Sequence, residues 1–156
     1  KGRQEGLEPD MAVIVPTGVV GRVLLPSARA SKIQLIIDRN AAAGVIVERS
    51  RVHGVVTGIG TSDQLQFELG LLELQYVPAT ADVMVGDRVV TSGIDGIYPK
   101  GFVVGEIQSV EREAGTWRIT VRPAVDFSTL ETVLVVLSRP PAVDAGEPAA
   151  DTVEDQ

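Results

Sequence analysis

Short apolar runs separated by turn residues recur along this chain. In residues 72–76, leucine and tyrosine alternate with glutamate and glutamine, which is the period of a β-strand with one buried face. Further runs, rich in valine and isoleucine, are bounded by glycine, proline or polar residues: 11–15, 19–25, 33–38, 45–49, 52–58, 65–69, 88–91, 102–107, 117–122 and 132–137. Closely spaced short strands are typical of sandwiches and barrels, so the pattern predicts an all-β protein.

Several of these runs carry more detailed predictions. The runs at 45–49 and 52–58 are predicted to pair as a hairpin. Residues 33–38 are almost continuously apolar, which is typical of a strand covered on both faces. The arginines that alternate through 117–122 would discourage edge pairing and therefore predict an edge strand. The run at 132–137 is predicted to close a barrel.

Two short segments are predicted to form single helical turns. Residues 40–44 contain three alanines and end in glycine, a residue that commonly terminates a helix. Ser128 is followed three residues later by Glu131, which matches a capping box for a turn over 127–131. Neither segment is long enough to change the all-β assignment.

The strand count fits two small β-barrel lobes or a two-lobed sandwich. A glycine near the middle of the chain divides the predicted lobes into 11–70 and 71–138, and the strand at 11–15 could belong to either lobe. Residues 1–10 lack apolar periodicity and are predicted to be a linker or the end of an upstream element. Residues 139–156 hold three prolines and five acids, and are predicted to be disordered.

The two predicted lobes share a loosely repeated pattern. Residues 10–23 and 87–107 both contain an acid, a β-branched strand, a glycine and then Val-Val-Gly followed two residues later by valine or isoleucine. Duplication explains this similarity. Chance convergence of two strand–turn–strand units in a valine-rich protein explains it as well.

Composition narrows the class of function. Hydrophobic residues make up 44% of the chain but aromatic residues only 4%, so the core must be aliphatic. The net charge is −7, and residues 139–156 contribute five acids and one arginine to it, so the body is only mildly acidic. Nucleic-acid grooves and membrane-binding patches need clustered Lys and Arg, and the composition argues against both.

The absence of cysteine rules out disulfides and thiolate metal sites, and it leaves the cellular compartment open. The longest uninterrupted apolar run, residues 133–137, is far shorter than the roughly 20 residues of a membrane-spanning helix. The chain begins at Lys1 rather than methionine, so it is interpreted as a fragment of a longer protein from which an anchor is missing.

Double β-barrels can hold a serine-protease triad, and side chains for one are present. His53 is the only histidine and would be the base, with Ser92 as nucleophile and Asp87 or Asp82 as orienting carboxylate. Ser92 does not lie in a G-x-S-x-G turn, however, and His53 is embedded in a strand pattern. The sequence therefore favours a strand histidine, and no catalytic residue is predicted.

No metal or cofactor site is predicted. One histidine and scattered carboxylates do not form a metal-binding pattern. A glycosidase would need two carboxylates and, usually, sugar-stacking aromatics, but Trp117, Tyr76 and Tyr98 are dispersed along the chain. The glycines match no phosphate-binding fingerprint, because no helix pattern follows them.

Binding by the surface remains as the predicted activity. The loop at 94–99 places Ile97, Tyr98 and Pro99 where exposure to solvent is expected. These side chains either contact a partner or fold back over the end of a barrel. Trp117, on the predicted edge strand, offers a second contact by strand addition or self-pairing. Together, these four residues are the predicted partner contacts.

Residues 86–107 resemble the signature of the MreC family of bacterial rod-shape-determining proteins, with the sequence GDRVVTSGIDGIYPKGFVVGEI. Residues 18–23, 33–40 and 121–137 resemble further MreC blocks in the family's order. Four blocks in register make the resemblance specific. The chain departs from the family in a longer connection over 58–71.

The resemblance implies two β-barrel lobes that are distantly chymotrypsin-like but lack the catalytic triad. It implies a non-enzymatic scaffold of the cell-elongation machinery on the periplasmic side of the bacterial inner membrane. An N-terminal membrane helix and a coiled coil would precede residues 1–10. The implied partners are the cytoskeletal protein MreB, the membrane protein MreD, the elongation-specific penicillin-binding transpeptidase, RodA and a second copy of the chain.

Two other functions are consistent with the same residues. A serine hydrolase would be labelled at Ser92 by a fluorophosphonate probe. A β-rich periplasmic adaptor of a transport or secretion assembly would not capture cell-wall synthases.

Overall fold

A computed structural model of the chain describes residues 1–59 and 70–137. Within these ranges the chain forms one 3-10 helix, Arg3–Glu5, and ten strands. The strands are β1 (Ala12–Val15), β2 (Gly18–Pro26), β3 (Ser31–Leu35), β4 (Ala42–Val47), β5 (His53–Gly58), β6 (Leu72–Gln75), β7 (Arg88–Thr91), β8 (Val103–Glu113), β9 (Thr116–Pro123) and β10 (Leu134–Val135). The all-β prediction is confirmed. No helix in the described ranges is long and apolar enough to cross a bilayer.

Six strands close into a barrel in the order β4–β5–β6–β9–β8–β7, and β7 returns to pair with β4. All of these pairings are antiparallel. Successive side chains of a strand point to opposite faces, and Val45, Val47, Val56 and Val89 are fully buried in the core. The barrel is therefore filled by its own aliphatic side chains, as the composition predicts.

The other four strands form an open sheet in the order β10–β1–β2–β3. The short strand β10 pairs with β1 at Val13↔Val135 and Ile14↔Leu134. A second apolar cluster belongs to this sheet and consists of Leu7, Met11, Val13, Val20, Val23 and Val125. Backbone hydrogen bonds therefore close only one of the two lobes into a barrel, and the other lobe is an open sheet.

The sheet and the barrel share one core. Ala12 of β1 and the segment after β3, with Ile36 and Ile37, pack in the same cluster as the barrel valines. Gly58, at the end of β5, lies where a Cβ atom would be 2.2 Å from the carbonyl oxygens of both Ile37 and Asp38. This approach of backbone to backbone requires glycine.

The strand order divides the chain differently from the predicted lobes at 11–70 and 71–138. β4 and β5 precede residue 70 but belong to the barrel together with β6–β9. β10 lies near the end of the described chain but pairs with β1. Pairing between distant segments leaves no local mark in the sequence pattern, so the boundary could not be read from it.

Two predicted strand roles are wrong, while the hairpin over 45–58 is confirmed as β4 and β5. The predicted edge strand at 117–122 is β9, which pairs with β6 on one side and β8 on the other. The run at 132–137 contributes β10 to the open sheet and does not close the barrel. Outward arginines face solvent on any barrel strand, so they do not distinguish an edge from an interior strand.

The two predicted helical turns are also wrong. Residues 42–44 begin β4. Near residue 128, the Asp126 carboxylate accepts hydrogen bonds from the N–H and the hydroxyl of Ser128, which makes a turn and not a helix. The run at 33–38 is a strand only as far as Leu35.

Residues 1–10, predicted to be a linker or the end of an upstream element, contact the sheet. The N–H groups of Arg3 and Gln4 donate to the carbonyl oxygens of Ser27 and Ala28, at 2.7 and 3.1 Å. Leu7 is buried in the apolar cluster of the sheet. Backbone hydrogen bonds hold this segment, and they require no apolar periodicity. The predictions for 65–69 and 139–156 concern residues outside the described ranges.

Candidate functional site

The candidate triad residues lie apart. Asp87 directly precedes β7 and Ser92 directly follows it, which separates them by roughly 16 Å of extended strand. The Ser92 hydroxyl accepts from the N–H of Ile94, and the Asp87 carboxylate is bound by Arg49. His53 is an exposed residue that opens β5. Residues 1–59 and 70–137 also contain no cluster of three or more metal-binding side chains.

Two loop regions at opposite ends of β7 define the two ends of the barrel. The sheet-side loop, residues 92–101, follows β7 and lies towards the open sheet. The far end consists of the β4–β5 turn at 48–52, the loop at 76–87 and the tip of the β8–β9 hairpin. Both ends carry aromatic side chains, but Tyr98 at the sheet-side end is buried and Tyr76 at the far end is exposed.

Asp95 organises the sheet-side loop. One carboxylate oxygen accepts the N–H of Gly44 on β4 at 3.0 Å. The other accepts the N–H groups of Ile97 and Tyr98, at 3.0 and 3.2 Å. Such a bridge from carboxylate to backbone fixes the loop against the barrel and sets the direction of the side chains that follow.

Tyr98 consequently points into the protein. Its side chain is 1% exposed and packs in the core shared by the barrel and the sheet. Burial and the charge of Asp95 raise the pKa of Tyr98, so the phenol is neutral at physiological pH. The prediction of Tyr98 as a partner contact is wrong, and the alternative, in which it folds back over the barrel end, is right. Ile97 and Pro99 are half-buried.

Arg49 forms a clamp with Asp82 and Asp87 at the far end. Its Nε and Nη2 atoms donate to the two carboxylate oxygens of Asp87 at 2.7 and 2.9 Å. Its Nη1 and Nη2 atoms donate to Asp82 at 2.8 and 3.1 Å. The clamp ties the loop at 76–87 to the β4–β5 turn by paired, charge-assisted hydrogen bonds.

The guanidinium of Arg49 affects the ionisation of both carboxylates in the clamp. Hydrogen bonds from Arg49 lower the pKa of Asp82 and the pKa of Asp87 below their ordinary value. Asp87 is buried, 7% exposed, and also accepts the N–H of Met84 at 2.9 Å. Both carboxylates are therefore ionised at neutral pH, and the loop is held by charges that partly escape solvent screening.

Two further contacts hold the same loop. The indole Nε1 of Trp117 donates to the carbonyl oxygen of Pro78 at 3.0 Å. The guanidinium of Arg112 donates to the carbonyl oxygen of Ala79 at 2.6 Å and lies over the Trp117 ring, 4.4 Å from its centroid. Arg112 and Trp117 are cross-strand partners in the β8–β9 hairpin, which explains their contact.

Tyr76 begins the loop in an unusual conformation. Its φ is +62°, a left-handed value that bulky side chains rarely adopt, and its side chain is 80% exposed. The alternation over 72–76 predicts that Tyr76 faces inward with Leu72 and Leu74. The strand ends at Gln75, however, and the change of backbone direction turns Tyr76 to solvent.

An apolar groove lies on the open sheet between its two edge strands. It has a volume of about 670 Å³. Residues of β3, of β10 and of the N-terminal segment line it, including Leu7, Ile33, Val133, Val135 and Leu137. The groove is large enough for a ligand or a short extended segment.

Of the four predicted contacts, Trp117 alone lies at the far end, and Ile97 and Pro99 lie in the sheet-side loop. Tyr76, Arg112 and the clamp are absent from the predicted contacts. Arg112 falls in a charged hairpin tip, and the clamp joins residues 33 and 38 positions apart. The one local signal was the Val-Pro pair after Tyr76, which indicates that the strand ends there.

The chain matches the family described as "Rod shape-determining protein MreC, barrel core" over residues 1–137. It is 30% identical to the cell shape-determining protein MreC of Listeria monocytogenes over 97% of this chain and 50% of that protein. It is 32% identical to the Escherichia coli protein of the same name over 87% of this chain and 36% of that protein. The chain thus spans half or less of these two relatives.

Solved structures of MreC proteins share the fold. The L. monocytogenes protein superposes with a TM-score of 0.78 at 30% identity, covering 92% of this chain and 69% of that one. The Pseudomonas aeruginosa protein gives a TM-score of 0.77 at 26% identity, with coverage of 87% and 84%. MreC in a complex with penicillin-binding protein PBP2 from Helicobacter pylori gives 0.56 at 24% identity, with coverage of 71% and 65%.

Proposed function

The chain belongs to the MreC family of cell shape-determining proteins, and we propose that it is a non-enzymatic scaffold of the cell-elongation machinery. In this role it binds the elongation-specific penicillin-binding transpeptidase, and it joins that enzyme to RodA, MreD and the MreB cytoskeleton. It also associates with further copies of itself. The proposed location is the periplasmic side of the inner membrane.

The observation that carries the proposal is the complex of an H. pylori MreC with PBP2, whose MreC chain shares this fold. A further structure with this fold is described as the major periplasmic domain of a "cell shape-determining filament", at a TM-score of 0.65 and 21% identity. These descriptions concern the relatives, and they motivate the transpeptidase, self-association and the periplasm as proposals here.

The loops of this chain suit a scaffold. Carboxylates and backbone hydrogen bonds fix both the sheet-side loop and the loop at 76–87 before any partner arrives. A surface that is already ordered loses little conformational entropy on binding, so more of its contact energy appears as affinity. Ile97 and Pro99 on the sheet-side loop and Trp117 on β9 remain proposed contacts, whereas Tyr98 is buried in the core.

Complementation tests the proposed role. The full-length gene is expressed in a rod-shaped host that becomes round when its own MreC is depleted, and cell shape is scored by microscopy. We expect rods from the wild-type gene and from Ser92→Ala, because no hydroxyl chemistry is involved. Round cells with a normally expressed wild-type protein would contradict the proposal.

Direct binding tests the partner. The chain is immobilised and exposed to the purified periplasmic part of the elongation-specific transpeptidase from the same organism. We expect saturable binding that an unrelated periplasmic β-protein does not show. The absence of binding at concentrations up to about 100 μM would exclude the transpeptidase as a direct partner.

A further inference from the structure

Three side chains at the far end are grouped here as the aromatic patch: Tyr76, which is exposed, Arg112, and Trp117, which is half-buried. Pro78 and Ala79, which accept hydrogen bonds from Trp117 and Arg112, follow Tyr76 closely in the chain. The antiparallel register of β6 and β9 ends with Leu74 opposite Ile119, and β6 ends one residue before Tyr76. The two hydrogen bonds therefore place Trp117 and Arg112 against the segment that follows Tyr76.

The composition of the patch is that of a binding hot spot. Tyrosine, tryptophan and arginine are the residue types most enriched where protein interfaces gain most of their energy. This chain has a single tryptophan and two tyrosines, and the other tyrosine is buried in the core. Trp117 packs partly against the barrel core, whereas the exposed ring of Tyr76 makes little such packing.

Tyr76 gives the most direct argument. Its left-handed backbone is unfavourable for a bulky side chain, and glycine or asparagine would adopt it more easily. The side chain recovers little of this cost by packing, because it is 80% exposed. A tyrosine here is thus poorly suited to stabilise this chain, and its aromatic surface is available to another molecule.

Two of the three side chains of the patch are held by contacts within the chain. Trp117 is fixed by Pro78, Arg112 is fixed by Ala79 and by the indole ring, and the clamp holds the rest of the loop. Fixing long side chains in advance lowers the entropic cost of binding. Met84 and Val85, which are 56% and 64% exposed, add apolar surface on the same loop.

From these observations we infer that the aromatic patch is the surface by which this chain holds the transpeptidase of the proposed function. The inference rests on that function. The chemistry of the patch specifies its complement: an apolar side chain that packs on Tyr76 and Trp117, next to a carboxylate that pairs with Arg112. The commitment to the transpeptidase follows from the H. pylori relative, whose MreC chain has this fold and is in a complex with PBP2.

The test compares Tyr76→Asn with Leu25→Ser in binding to the purified transpeptidase. Both positions are exposed, at 80% and 63%, but Leu25 lies on β2 of the open sheet. Asparagine accepts the left-handed backbone, so the fold is preserved. We expect Tyr76→Asn to raise the Kd about tenfold or more and Leu25→Ser to leave it unchanged.

Arg112→Glu tests the electrostatic half of the inference. We expect it to weaken binding at least as much as Tyr76→Asn, and we expect the wild-type association rate to fall with added salt. Unchanged affinity in both Tyr76→Asn and Arg112→Glu, with the wild type binding normally, would overturn the inference and leave the proposed function intact. Failure of the wild type to bind would instead remove the proposed function.

Two other occupants are distinguished in the same series. If Tyr76→Asn abolishes self-association in sedimentation but binds the transpeptidase normally, the patch belongs to a second copy and the inference is wrong. If it loses only binding to isolated peptidoglycan, the patch stacks on sugars and the inference is equally wrong. Circular dichroism and thermal unfolding confirm that each variant is folded before it is compared.

Discussion

The two ends of the barrel use aromatic side chains for opposite purposes. In the sheet-side loop, Asp95 turns Tyr98 into the core, where the side chain joins the sheet to the barrel. At the far end, the clamp and two side-chain contacts hold the loop but leave Tyr76 in solvent. Both loops are ordered by carboxylates, so order alone does not distinguish a structural loop from a binding loop. The two loops differ instead in the burial of their aromatic side chains, Tyr98 and Tyr76.

Replacing Tyr98 by alanine should have the largest effect on stability. The change removes a fully buried ring from the core shared by the two lobes, and such truncations cost about 3–5 kcal/mol. Urea unfolding of Tyr98→Ala and wild type measures the difference. Tyr98→Phe is the matched control and should lose less than about 1.5 kcal/mol. A loss below about 1 kcal/mol for Tyr98→Ala would mean that the ring does not bind the lobes together.

The sequence predicted the local parts of this comparison better than the long-range parts. The strands β6 to β9 and the β4–β5 hairpin follow from alternation and turn residues, which act over a few positions. The inward turn of Tyr98 depends on a hydrogen bond between Asp95 and Gly44, 51 positions apart. The same applies to β10, whose partner β1 lies at the other end of the described chain. Periodicity carries no information about such pairs.

Tyr76 and Trp117 show why the candidate site was only half predictable. Trp117 follows from an edge-strand prediction that is wrong, because β9 pairs with β6 on one side and β8 on the other. The alternation places Tyr76 on the buried face, because two leucines precede it at the strand period. One left-handed residue reverses that assignment, and the φ of a residue other than glycine is hardly visible in a sequence.

Replacing a glycine by alanine should also change the free energy of unfolding by different amounts at the two ends. At Gly58 on the sheet side, the new methyl group would meet two carbonyl oxygens at 2.2 Å, and we expect a loss of about 3 kcal/mol from overpacking. At Gly86 in the far-end loop, φ is +94° and no atom lies within 4 Å, so Gly86→Ala should cost about 1 kcal/mol through backbone strain alone. Equal losses in denaturant unfolding would contradict this contrast between a packed and an open end.

The clamp predicts how the far end depends on pH. In the folded chain the pKa of Asp87 lies below its ordinary value of 3.8. The contribution of the ionised carboxylate to the free energy of unfolding is therefore complete above pH 3.8, and it is lost as the pH falls through the folded pKa. We expect Asp87→Asn to lose about 1–2 kcal/mol at pH 7, since Arg49 is partly exposed and screened. The difference from wild type should shrink below about pH 4.

Asp82→Asn is the control for the clamp. Because Asp82 is largely exposed, it should contribute much less than Asp87 to the free energy of unfolding. Stability curves between pH 3 and pH 7 provide the measurement. A constant difference between Asp87→Asn and wild type over this range would show that the carboxylate acts through its shape and not through its charge.

The smallest effect on stability should come from Tyr76, and this is what makes the residue informative. Asparagine relieves the left-handed strain that tyrosine suffers, and little packing is lost, so Tyr76→Asn should be neutral or up to about 1 kcal/mol more stable. Thermal and urea unfolding measure the change against wild type. A loss above about 1 kcal/mol would place Tyr76 among the structural aromatics with Tyr98. A neutral change, combined with weaker binding of the transpeptidase, would mean that the chain keeps a strained residue at this rim for its partner.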